Sequence, residues 1–100
     1  MKEKEFQLIS RDTFSELLKA YAKHGENNEN RKNLFVSNTI LVEEVGEVAK
    51  AIIDEHFNGS GTLEDIKIEL LQTAAMAIEM IHEVNERINS KHGYVYRNGA

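Results

Sequence analysis

"LVEEVGEVAKAI", residues 41–52, packs three glutamates into five positions between apolar neighbours. At a helical advance of about 100° per residue, Glu47 lies about 40° from Glu43 and Glu44 about 100° from it. Val48, Ile52 and Val45 follow at about 140–200°, with Ala49, Val42 and Ile53 beyond. The stretch therefore reads as an amphipathic helix whose acids line one border of a wide apolar face. Glu44, among Ile40, Val48 and Ala51, is the acid worst placed for water.

The same period carries outward in both directions. A helix is expected from Leu34 to Phe57, about 36 Å long at 1.5 Å per residue. "NGSGT", 58–62, is a glycine-rich turn, with Thr62 as an N-cap and Asp65 three residues on as a weak capping box. It lacks the Gly-Lys-Ser/Thr of a phosphate-binding loop. Phe57 is expected to anchor this turn. A third helix runs from Leu63 to about Ser90, with Leu63, Ile66, Leu70, Leu71, Ala74, Ala77, Ile78, Ile81 and Val84 on one broad arc. Upstream, Phe14, Leu17, Leu18 and Tyr21 recur at i, i+3, i+4, i+7. That places a first helix from near Asp12 or Thr13 to Gly25, with Ser10 or Asp12 as cap. Residues 1–9 read as an extended lead-in, 26–33 as a polar linker and 91–100 as a flexible tail.

The chain has 100 residues, no proline and no cysteine. It reads as one all-α domain, an antiparallel helical bundle of about three helices. So few residues bury a marginal core, and oligomerisation is the usual remedy. A homodimer or homotetramer is expected, with helices of two chains completing four-helix packing. Disulfides and thiolate metal sites are excluded. The absence of a secretory signal or a membrane-length apolar run makes the cytoplasm the expected compartment. A net charge of −5 without a basic run argues against nucleic acid as a partner. A polyanionic ligand would need a cation with it.

Glu44 and Glu47 form an i, i+3 pair. Glu69 and Gln72 repeat that spacing in "ELLQ" on the next helix. The hairpin sets the two helices antiparallel and brings the pairs to similar heights. Such an oxygen-only donor set suits Mg²⁺, and Mn²⁺ fits the same donors.

"EEVGE" followed by "ELLQ" resembles the MazG-like nucleotide pyrophosphohydrolases of the all-alpha NTP pyrophosphatase superfamily. Their pattern is E-E-x-x-E, a spacer, then E-x-x-D, and the resemblance covers residues 34–85. It implies Mg²⁺-dependent hydrolysis of a nucleoside triphosphate to a monophosphate and pyrophosphate. It further implies Glu44, Glu47 and Glu69 as metal ligands, Gln72 as a fourth through its amide oxygen or a water, and Glu43 as the group that orients or deprotonates water. Gln72 stands where the family carries aspartate. That departure leaves open an active hydrolase or a module that binds nucleotide or a protein partner without turnover. A purely structural dimerisation domain is the third reading.

Lys50 and Asp54 share the stripe of Glu43 and Glu47. An intrahelical ion pair is the expected role of Lys50, with phosphate contact as the alternative and Asp54 as an additional ligand. His24, His56, His82 and His92 show no ligand spacing. Met76 and Met80 read as packing residues, and the tail with Lys91, Tyr94, Tyr96 and Arg97 as an interface or loose end.

Overall fold

The computed structural model describes residues 1–25 and 32–92. The fold is all-α, with three helices: α1 (Glu3–His24), α2 (Leu34–Ile53) and α3 (Leu63–His92). Residues 26–31 and 93–100 lie outside the described residues, and with them most of the expected linker and tail. The sequence "KH" that opens the expected tail instead completes α3.

The expected lead-in is a correction. Residues 3–9 are helical, and Ser10 and Asp12 lie inside α1 rather than capping it. Lysine, glutamate, glutamine and leucine dominate this stretch and favour helix. Glu3 and Glu5 suit the positive end of the dipole, and the Lys2 N–H donates to Glu5 Oε1 at 3.4 Å. Extending an existing helix needs no new nucleus. Asp12 pairs with Lys67 on α3, at 3.5 Å. At the other end Gly25 stops the helix as expected, with φ 87° and its N–H donating to the Tyr21 carbonyl at 2.8 Å.

Asn33 caps α2, its side-chain oxygen accepting from the N–H groups of Phe35 and Val36. The helix does not end at Ile53. It widens into a π-turn, Asp54–Asn58, closed by Gly59 in the left-handed region at φ 62°. The reciprocal cap at α3 is present: Thr62 N–H to Asp65 Oδ2 at 3.0 Å, and Asp65 N–H to Thr62 Oγ1 at 3.1 Å. Gly61 packs closely, and a Cβ there would lie a tight 3.2 Å from Asp54 Cβ and 3.3 Å from the Glu55 nitrogen. Phe57 does not anchor this turn: it is exposed, and its ring meets His56 edge-on.

Helix α3 packs on both α2 and α1, which have little contact with each other. Tyr21 bonds Glu79, tying α1 to α3, and Arg87 donates to the Lys32 carbonyl where α2 begins. The result is a slab, 53 × 33 × 21 Å. A slab buries little. Leu17 and Ala75 are the buried apolar residues, and Thr13 and Ser37 the buried polar ones, among the described residues. Of the apolar arc on α3, Leu63, Leu70, Ile78, Ile81 and Val84 remain exposed. Met76 and Met80 are half-buried, as packing residues should be. No described helix is long and apolar enough to cross a membrane.

The capping box makes a simple stability test. Thr62→Ala is expected to cost about 1 kcal/mol, with Thr62→Ser close to wild type. Chemical denaturation of the three proteins measures it.

Candidate metal centre

Spacing on α2 explains where each acid points. Leu34, Ser37, Leu41, Glu44, Val48 and Ala51 recur at alternating steps of three and four, and all are buried or half-buried. Such a stripe faces a neighbouring helix, and the neighbour is α3. Glu44 is thus a carboxylate at a packing position. Its Oε2 is buried without a hydrogen-bond partner. Burial pushes the Glu44 carboxyl above its ordinary pKa, and the negative charges of Glu69, Glu47 and Glu43 push it further the same way.

Glu47 lies one turn on, at the open edge of the seam. With Lys50, Ala51, Asp54, Ser60, Gly61, Asp65, Ile68 and Glu69 it lines a groove of about 230 Å³. The structure therefore brings Glu47, Glu69, Lys50 and Asp54 together, with Glu44 beside them. Gln72 and Glu43 are exposed and do not line the groove. Lys50 makes no ion pair with Glu47 or Asp54, which corrects the expected intrahelical pair. Asp54 accepts from Asn58 Nδ2 at 2.9 Å across the π-turn. A larger hollow of about 440 Å³, lined by Glu83, Glu86, Arg87 and Ser90, contains none of these acids.

Sequence reasoning missed Asp65, Ser60 and Gly61 as groove residues. Asp65 was legible, since it sits four residues before Glu69 and so shares its face. The π-turn that carries Asp54 up to Gly61 has no signature of that kind.

Four carboxylates and one ammonium in one groove make strongly negative ground. The donors are all hard oxygens, which suit Mg²⁺ or Mn²⁺ rather than a thiophilic metal. The orphaned Glu44 oxygen is the observation that fits a cation, because it lacks the partner a buried carboxylate needs. Among the described residues, no three of His, Asp and Glu are gathered closely enough to enclose an ion. Holding an ion would require these side chains to converge. No protein family, no curated protein and no solved structure matches this chain.

A raised carboxyl pKa has a definite sign. The Glu44 contribution to stability is full below its unfolded-state pKa and is lost as pH rises through the folded value. Glu44→Gln is therefore expected to raise the Tm at neutral pH in a chelator, with the gain shrinking as pH falls below the carboxylate range. Millimolar Mg²⁺ should raise the Tm of wild type and not that of Glu44→Gln. Differential scanning fluorimetry across pH, with and without Mg²⁺, checks both expectations.

Proposed function

We propose that this chain is a Mg²⁺-dependent nucleoside triphosphate pyrophosphohydrolase, releasing a nucleoside or deoxynucleoside monophosphate and pyrophosphate. The observation that carries the reading is the acid groove itself, with the orphaned Glu44 carboxylate at its edge. A triphosphate could approach these acids only with a cation between them. The likeness of "EEVGE" and "ELLQ" to the MazG-like pattern supports the same chemistry.

In this reading Glu44, Glu47 and Glu69 would hold the cation, with Gln72 as a fourth ligand through its amide oxygen or a water. When bound, Mg²⁺ supplies charge that offsets the phosphates and lowers the pKa of water. Lys50, unpaired with the acids beside it, contacts a phosphate oxygen. Asp54 adds a further oxygen at the hairpin end. Glu43 would orient or deprotonate the attacking water, which requires its side chain to turn toward the groove that it does not line. The water oxygen bonds to phosphorus, the α,β anhydride bond breaks, and pyrophosphate leaves with the electron pair.

One observation favours a second reading. Gln72 is exposed, neutral and outside the groove, at the place where the family pattern has an anionic ligand. A module that binds nucleotide or a protein partner without turnover would tolerate that substitution.

A panel of NTPs and dNTPs, canonical and modified, assayed with Mg²⁺ for pyrophosphate and orthophosphate separately, decides between them. Metal-dependent pyrophosphate release is expected, lost at least about a hundredfold in Glu47→Gln. Glu43→Gln should lower kcat and leave Mg²⁺ binding intact. Activity that emerges only in Gln72→Asp would establish the second reading. Silence across the panel, with no thermal shift from Mg²⁺ plus nucleotide, would overturn the hydrolase reading.

A further inference from the structure

Gln72 departs from the MazG-like pattern by one negative charge, and the groove contains a carboxylate that can restore it. On α3, Gln72 lies about 60° to one side of Glu69, and Asp65 lies about 40° to the same side. The two residues thus share one flank of the helix. At 1.5 Å per residue, Gln72 stands about 4.5 Å from Glu69 toward the C-terminal end, and Asp65 about 6 Å from it toward the hairpin. Asp65 lines the groove with Glu47 and Glu69, whereas Gln72 does not.

Asp65 is held in place. Its Oδ2 accepts the Thr62 N–H at 3.0 Å, and its own N–H donates to Thr62 Oγ1 at 3.1 Å. That cap needs an oxygen at this position but no charge, since glutamine serves there as well as glutamate. The helix dipole favours an acid in the first turn, and Glu64 answers it without entering the groove. Across the groove, Asp54 accepts from Asn58 Nδ2 at 2.9 Å, again a neutral donor. Among the described residues, no ion pair engages Glu47, Asp54, Asp65 or Glu69. Lys50 brings one positive charge against these four negative ones. The buried Glu44 Oε2 beside them lacks a hydrogen-bond partner. Capping explains where Asp65 points, but it leaves the charge there without a role.

We infer, on the cation reading above, that Asp65 supplies the anionic ligand that Gln72 cannot. The fourth acid of the donor set has moved two turns along the same flank of α3, from the pattern's last position to the hairpin end. Asp65 joins Glu47 and Glu69, and Gln72 adds only a neutral oxygen. The exchange of aspartate for glutamine at 72 then leaves the total charge offered to the cation unchanged.

Equilibrium dialysis of Mn²⁺ against the full chain reads the ligand without turnover. Asp65→Asn removes the charge and keeps an oxygen for the Thr62 N–H. It should weaken Mn²⁺ binding at least about tenfold, with helical content unchanged by circular dichroism. Glu64→Gln removes the same charge from the same turn outside the groove, and should weaken binding far less. Gln72→Ala should also cost far less than Asp65→Asn. If Asp65→Asn fails to fold, Asp65→Gln, which builds the usual neutral capping box, takes its place. Wild type that binds no Mn²⁺ would remove the cation reading and this inference with it. Wild type that binds, with binding lost in Glu69→Gln but as strong in the folded Asp65 variant as in Glu64→Gln, would overturn this inference alone. A loss in Gln72→Ala as large as in Asp65→Asn overturns it too.

Discussion

Glu44 occupies a position in the α2–α3 seam that the helical spacing reserves for an apolar side chain. Leu41 and Val48 flank it on the same stripe, and Glu69 faces it across the seam. Burying a carboxylate there is unfavourable unless something pairs with it. The penalty shows as a carboxyl pKa raised above its ordinary value by burial and by the neighbouring acids, and one of its oxygens lacks a hydrogen-bond partner. A side chain of this kind weakens a bundle that has little stability to spare. A cation entering from the groove side would supply the partner that this oxygen lacks.

The thin core sharpens that constraint. Three helices laid as a slab give two broad surfaces and little interior, so Leu17 and Ala75 are the buried apolar side chains among the described residues. Ser37, fully enclosed in the α2 stripe, shows how closely the helix backbones approach near the start of α2. Helix α3 is the common support: it carries α1 on one flank, α2 on a second and an open apolar stripe on the third. The acids and the apolar surface fall on opposite sides of the same hairpin.

Much of the fold was legible because its signals are local. The capping pair of Thr62 and Asp65, the stop at Gly25 and the start of α2 at Leu34 each follow from residue types at fixed offsets. The early start of α1 was not legible from amphipathic period, because residues 1–10 are all exposed and face nothing. The π-turn has no repeating pattern along the chain to announce it, and it brings Asp54 close against Gly61. At the site, the discomfort of Glu44 was readable from its apolar neighbours on the wheel. The grouping of Glu47 with Lys50, Asp54 and Asp65 needed the hairpin's geometry. The arc on α3 was read correctly as apolar, yet most of it faces outward in the single chain. Spacing shows that a stripe must be covered, but not by which molecule.

The central claim is that the carboxylates around the α2–α3 seam form a hard-cation site. Electron paramagnetic resonance of Mn²⁺ titrated into the protein tests it without any assumption about substrate. Saturable loss of the free-Mn²⁺ signal, reversed by excess Mg²⁺ and abolished in Glu69→Gln, is the predicted result. A free-Mn²⁺ signal that falls no further than in Glu69→Gln would contradict it.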